Sequence, residues 1–464
     1  MTSISTLTVD LAVLAGLTVL GYLVVRLILP DRGWPETLAL SFPIGAGTTS
    51  WVVFVWSWLG LQLSAPSVIG LWLVASLAAG FVLRMREIPL RASTRAAPSA
   101  ATNVGRIVSV VAMAATGALF LFSLILTVGR AQAGWDAMAI WSAKGYGIAL
   151  EGSIQAARHW GGHGLSYPLN MPILISFFAL FDGDALPGSK LIFPLFYASL
   201  LGGCFLFWRR GKLSATLSSV GMLTLASVPV LYDHATLGYA NLPEACYLVL
   251  GLLYLLQGSL ERSRRALLVS SLLLGLAMWT RPEGVILVIV GIAALAVALR
   301  LSGAEQIRGG VWLVPVALVG GTWLVFVSRY AGGSQFGGTI RGAWTGWANG
   351  EFNLFALRQI ATYTARQAVS PSVWGVAAPL LLVLIWIGRR HLLPEAGSAV
   401  LPILMMGVVS GMAVLAFYYL ASYADPPLDW WLSTGLNRTA IPSVCLVAVG
   451  AFLGLRSEPS KVGR

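Results

Sequence analysis

Uncharged stretches of about 20 residues recur along nearly the whole of this chain, and that recurrence restricts its fold more than any single motif does. A helix needs about 20 mostly apolar residues to cross the hydrocarbon core of a bilayer. Runs that can serve lie at 8–29, 36–60, 67–84, 107–129, 190–208, 214–232, 243–258, 266–280, 283–300, 311–328, 373–388, 398–420 and 439–456. They predict an all-α polytopic membrane protein with about 13 transmembrane helices. Composition agrees: 57% of the 464 residues are hydrophobic and 10% charged, whereas soluble globular chains are roughly one-quarter charged. The runs on either side of Thr280-Arg281-Pro282-Glu283-Gly284 are read as two helices, because Arg with Glu is costly in lipid and Pro with Gly suits a turn.

Four parts follow. Residues 1–84 form an N-terminal three-helix unit and 85–106 a basic, proline-punctuated cytoplasmic linker. A core occupies 107–300 with an outer loop at 130–189, and 301–464 adds C-terminal membrane helices with an outer loop at 329–372. The first run lacks a basic leader region and a clear cleavage site, so it reads as a helix and not a signal peptide. Cys204, Cys246 and Cys445 fall inside spans without CxxC spacing, which suits packing better than disulfides or zinc.

Orientation comes from Lys and Arg. With the N-terminus outside, 20 of the 30 basic residues fall on the cytoplasmic side, including the runs Trp208-Arg209-Arg210-Gly211-Lys212 and Glu261-Arg262-Ser263-Arg264-Arg265. The net charge of +12 is then topology and contact with anionic lipid, and nucleic acid is not needed to explain it. Of the 18 acidic residues, 11 fall on the outer side, among them Asp136, Asp233, Glu244, Glu283, Asp425 and Asp429. That carboxylate-rich face is where a site is expected.

Two outer segments are too long for turns. In 130–189 the apolar stretch Ile173 to Phe181 is too short to span and reads as a helix at or dipping into the interface. In 329–372 a flexible glycine-rich portion, 331–338, precedes Phe352, Phe355, Leu357, Ile360 and Tyr363 at near-helical spacing, the pattern of an interfacial amphipathic helix.

Asp136 is the first candidate for chemistry. It sits just after a spanning run, in Gly134-Trp135-Asp136, where a carboxylate can take a proton from a hydroxyl; it can equally cap the helix beginning near Ala137. Lys144 follows about two helical turns later and can hold a phosphate oxygen or snorkel to the interface. His159, His163 and Tyr167 are spaced by four, but Gly161, Gly162 and Gly164 argue for a loop, and no His-Glu-x-x-His pattern supports zinc. Arg281 and Glu283 sit where two spans meet, as an ion pair or as phosphate ligand and its orienter. Arg438 suits a phosphate through its forked donors, or pairs locally with Asp429. Trp135, Trp141, Trp160, Trp344 and Trp347 could stack on sugars, although membrane-belt or packing roles explain them as well.

The order of a spanning helix, an outer Asp, Trp141-x-x-Lys144, then His and Tyr167-Pro168 before a short apolar helix resembles the GT-C superfamily of membrane glycosyltransferases, in the manner of bacterial families 39 and 83. Gly238-Tyr239-Ala240-Asn241-Leu242-Pro243 resembles their Gly-Tyr-Ala-Asp-Leu-Pro, Trp279-Thr280-Arg281-Pro282-Glu283-Gly284 resembles Trp-Thr-Lys-Asn-Glu-Gly, and Asn437-Arg438 resembles a late Arg before the last helix. The match covers about 107–300 and the region of 438. It implies a GT-C-like core and transfer of a hexosyl or pentosyl group, with inversion, from a polyprenyl-phosphate-linked donor to a glycan, lipid or protein acceptor.

The same resemblance implies Asp136 as general base and Lys144, Arg281 and Arg438 on the donor phosphate. His159, His163, Tyr167, Asp233, His234, Asn241, Glu244 and Glu283 are then substrate contacts. Asn241 departs from the pattern, and Asp233 or Glu244 could supply the missing carboxylate. No cofactor is expected; a divalent ion held by Asp136 with Asp233 or Glu244 stays open. The implied location is the inner membrane of a bacterium, with the site facing the periplasm. A secondary transporter or lipid flippase, with charges marking a path, and a non-catalytic envelope-assembly subunit remain as alternatives.

Overall fold

A computed structural model describes residues 4–90, 102–132, 134–183, 186–302, 310–331, 335–389, 398–423 and 427–456. Much of the expected 85–106 linker, and Asp184 and Asp425, lie outside the described residues. The helices in chain order are α1 (Ile4–Ile28), α2 (Trp34–Trp58), α3 (Ala65–Met85), α4 (Asn103–Gly129), α5 (Ala143–Glu151), α6 (Asn170–Asp182), α7 (Leu186–Ser189), α8 (Ile192–Arg210), α9 (Ala215–Ala226), α10 (Pro229–His234) and α11 (Asn241–Leu260). They continue with α12 (Arg264–Met278), α13 (Glu283–Leu301), α14 (Val314–Tyr330), α15 (Gln335–Ala348), α16 (Leu354–Ala368), α17 (Pro371–Trp374), α18 (Ala377–Ile387), α19 (Val400–Ala421), α20 (Leu428–Thr439) and α21 (Ile441–Leu453). No strand occurs among the described residues.

Ten of the described helical segments are long and apolar enough to cross a membrane, counting α20 and α21 as one. The chain is an integral multi-pass membrane protein. Three of the expected spans, at 214–232, 266–280 and 373–388, are shorter as helices: α9, α12 and α18. The expected count of 13 is therefore not reached by length. In α9 the helix stops at Ala226 and resumes as α10 from Pro229, because Pro lacks the N–H that would continue the ladder. α12 packs on α11, α13 and α14, so its length answers to its protein neighbours more than to the bilayer.

Local signals set several of the ends. Ser64 accepts from the Ser67 N–H and Ser67 reaches back to the Ser64 N–H, a reciprocal cap that starts α3 with Pro66 in its first turn. Thr102, Ser214 and Ser263 cap α4, α9 and α12 from one side only, each accepting a backbone N–H of the first turn. α1 and α2 cross with Gly21 and Gly45 at the contact, where a Cβ on either would fall on the facing backbone carbonyl. Small residues let backbones approach, which is how helices gain packing where lipid offers no hydrophobic drive.

Two outer segments differ from expectation. α6 is enclosed by protein and does not lie on lipid: Met171, Ile173, Leu174, Phe177 and Phe178 are all fully buried, and the helix packs on α5, α2 and α1. A helix apolar all round belongs inside. The glycine-rich portion before the amphipathic helix is helical from Gln335, within α15; 332–334 lie outside the described residues. The amphipathic helix itself is α16, which buries Ala356 and Ile360.

The bundle has two chemically distinct ends. At one, Arg32 pairs with Glu261 (2.8 Å), Arg265 with Asp31 and Arg210 with Glu36. α12 begins at that end beside Arg265 and finishes at the other, next to Arg281. The candidate residues are gathered there.

Candidate active site

Asp136 is positioned by an irregular stretch of helix. Met138 donates to the Gly134 carbonyl (3.0 Å), and from Ala137 to Ser142 the chain forms a π-helix, with Ala143 donating to Met138. Such widened turns concentrate at functional sites. Here the Ala139 carbonyl is open to the Gly162 N–H, which donates to it at 2.7 Å. Gly161 makes that approach with φ 79°, and a Cβ there would lie 2.7 Å from the same oxygen. The glycines around His159 and His163 thus dock their loop on the turn that carries Asp136.

The carboxylate does not cap the following helix: Asp136 has helical backbone angles and no capping bond. Its Oδ2 accepts instead from Arg438 Nη1 at 2.5 Å. Arg438, expected either on a phosphate or on Asp429, is delivered by α20 to this acid, 302 residues away in sequence. Both side chains keep some exposure, 17% for Arg438 and 15% for Asp136.

Tyr239 packs on the pair. Its ring lies 5.2 Å from the Arg438 guanidinium and closes on Gly134, where a Cβ would lie 2.5 Å from it. Gly238, at φ 78°, lets this turn press against Gln132 and Ala137, where a Cβ would be 2.7 and 3.3 Å from their side chains. Tyr239 stood inside the quoted motif but was not among the expected site residues.

Arg281 is the second cation. It occupies the break between α12 and α13 and is buried. Its Nε and Nη2 each meet Glu283 Oε1 at 2.5 Å, its Nη1 donates to Asn241 Oδ1 at 3.0 Å, and Glu244 Oε2 lies 3.7 Å from Nε. Burial alone pulls the guanidinium toward losing its proton, but Glu283 and Glu244 outweigh it and hold the proton more tightly than usual. Asn241 is therefore a ligand of Arg281. A carboxylate at 241 would put a third acid on one guanidinium, so neutrality fits the position.

Tyr167, Arg281, Glu283 and Arg438 line one cleft with Tyr418 and Trp431, whose indole N–H is buried without a partner. The free space is about 60 Å³, roughly two waters' share of liquid volume. Of these lining groups, Tyr418 and Trp431 lie outside the expected set. An aromatic in an apolar run carries no mark of which face it presents.

The remaining expected residues divide. His163 is exposed and stacks on Tyr167 at 4.5 Å; partial desolvation of the ring first, then Lys144, lowers its proton affinity. Burial also raises the Tyr167 hydroxyl to about 12. His234 is buried, donates from Nδ1 to the Val230 carbonyl (2.8 Å), presents an unpartnered Nε2 and packs edge-on to Tyr239; burial lowers it to about 4. His159 belongs elsewhere: it is exposed and pairs with Glu151 at 2.7 Å, as does Trp160 at 2.8 Å. Asp233 is exposed at the end of α10 and does not line the cleft. Among the described residues no group of three or more His, Cys, Asp or Glu is gathered.

Lys144 is fully buried one layer behind the cleft, its Nζ 5.8 Å from the Tyr167 ring and without a hydrogen-bond partner. Burial lowers it to about 7. An unfolded lysine keeps its proton to about 10.4, so between those values the unfolded chain binds more protons and stability rises with pH. Lys144→Met is accordingly expected to stabilise the fold at pH 7 by an amount on the order of a few kcal/mol, seen as a higher thermal midpoint, with the gain shrinking toward pH 10. Melting in detergent across that range measures it, and a variant less stable at pH 7 would contradict it.

No protein-family model matches the chain, and no curated protein does. Among solved structures, ArnT from Cupriavidus metallidurans bound to undecaprenyl phosphate is similar at 15% identity and a TM-score of 0.40, over 76% of this chain and 76% of that one. The same protein in the apo state gives 14% and 0.39, over 76% and 75%.

Proposed function

We propose that the chain is a membrane glycosyltransferase of GT-C type, moving a sugar from a polyprenyl-phosphate donor to an acceptor hydroxyl on the outer face. One observation carries this reading: an acid and two arginines, from positions 136, 281 and 438, converge at one end of the bundle. An acid beside paired guanidiniums is what transfer from a lipid phosphate needs. A transport path would instead string its charges through mid-bilayer.

In the reaction, the acceptor oxygen attacks the anomeric carbon as its proton passes to the Asp136 carboxylate. The bond from that carbon to the phosphate oxygen breaks, and the electron pair leaves with the polyprenyl phosphate. A single displacement inverts the anomeric centre. Arg438 exchanges its contact with Asp136 for the donor phosphate, which frees the base as substrate arrives. Arg281, anchored by Glu283 and Asn241, keeps donors toward the cleft for the same phosphate. The cleft is too small for a sugar ring, so donor binding has to widen it. The outer face is periplasmic on this reading, because the opposite end carries the basic loops.

The test is transfer of label from radiolabelled polyprenyl-phosphate sugars to candidate acceptors by the purified full chain in detergent. Transfer is the expected result. Accumulation of substrate in sealed vesicles without transfer would replace the enzyme by a transporter.

A further inference from the structure

At the end of the bundle opposite Asp136, a cavity of about 880 Å³ opens between the ends of α1, α3 and α12. Four arginines line it, Arg26, Arg32, Arg86 and Arg265, against two acids, Asp31 and Glu87. Asp31 is taken by Arg265, and Arg32 reaches Glu261 outside the cavity. No carboxylate partner is found for Arg26 or Arg86 among the described residues.

Arg26 gives the cavity a rigid back wall. It is fully buried, its Nη1 donates to the Pro30 and Arg32 carbonyls at 2.8 and 3.1 Å, and its Nη2 to Pro89 at 2.7 Å, while its Nε is buried without a partner. Tyr22 holds the same segment through the Leu90 carbonyl. α3 ends in a turn closed by Ile88 N–H on the Leu83 carbonyl, with Glu87 at φ 54°, and Arg86 in that turn lines the cavity. The rest of the wall includes half-buried Ile28, Val82 and Leu268, the apolar flanks of three helices at the membrane surface.

We infer that this cavity binds the headgroup of an anionic phospholipid, its phosphate among Arg26, Arg86 and Arg265 and one acyl chain along Val82 and Leu268. The exposed Arg86 and Arg265 guanidiniums supply the forked donors a phosphodiester takes, and basic pockets between membrane helices are where such head groups settle. The volume is far beyond a lone ion and within the range of organic ligand sites. The apolar wall selects a lipid over a free phosphate, which would gain nothing from Val82 and Leu268. The Arg265–Asp31 pair is exposed and therefore cheap to exchange.

Native mass spectrometry of the delipidated full chain, titrated with phosphatidylglycerol, phosphatidylcholine of the same chains, or glycerol 3-phosphate, tests this. Phosphatidylglycerol should bind at least about tenfold more tightly than phosphatidylcholine. Arg86→Ala with Arg265→Ala should remove that preference, whereas Arg300→Ala with Arg389→Ala, on exposed arginines away from the cavity, should keep it. Arg86→Glu, at an exposed helix end, gives the same readout should the double variant fold poorly. Equal binding of both lipids, or an unchanged preference in the Arg86 variants, would overturn the inference. So would saturation by glycerol 3-phosphate alone, which would mark a soluble-phosphate site.

Discussion

Asp136→Asn is expected to lower transfer by about 10³-fold, within the range a positioned general base contributes, while thermal stability changes little. The amide keeps an oxygen for Arg438 Nη1 and leaves the Tyr239 ring on that guanidinium untouched, so the architecture of the site survives. What it loses is the proton acceptor. The loss should fall on kcat and leave donor affinity near wild type, since the phosphate contacts come from Arg281 and Arg438. A variant that folds, binds donor and still transfers at more than about a tenth of the wild-type rate would remove Asp136 from the chemistry. The contrast with Arg438→Ala sharpens this: that change strips a phosphate ligand and also leaves Asp136 unpaired, so KM and kcat should move together.

The pairing behind that prediction was not legible in the sequence. Lys and Arg counts assign Asp136 and Arg438 to one face of the membrane, but positive-inside asymmetry says nothing about which loops touch. The π-turn that carries Asp136 was equally hidden, because it depends on the distant Gly162 N–H meeting the Ala139 carbonyl. The break at 280–283 was legible, since Arg, Pro and Glu interrupt two apolar runs and each is costly in a continuous lipid-facing helix. α6 marks the limit of reasoning from length. Its 13 residues are too few to span, and hydropathy alone cannot separate a short helix lying on lipid from one enclosed by protein. Asn241 was read as a lost acid. Beside Glu244 and Glu283 it is the neutral third ligand of a single buried arginine.

That arginine gives the largest expected effect on stability. Arg281→Met should destabilise the protein by about 3–5 kcal/mol, the range for removing one partner of a buried ion pair. The cause is what remains: Glu244, 1% exposed, and Glu283, 13% exposed at its side chain, would face each other with no cation between them, and Asn241 would lose its donor. Glu244 Oε1 already lacks a hydrogen-bond partner with Arg281 present, so the pocket has little to offer in its place. Thermal unfolding in detergent should show a midpoint lowered by roughly 3–5 °C. Adding Glu244→Gln and Glu283→Gln to Arg281→Met should restore much of that loss, because neutral amides can remain buried where unpaired carboxylates cannot. The restored triple variant should still fail to transfer sugar, since on the proposed mechanism Arg281 also meets the donor phosphate. Stability and activity would then separate at one residue. A triple variant regaining both would leave Arg281 a structural ion pair alone.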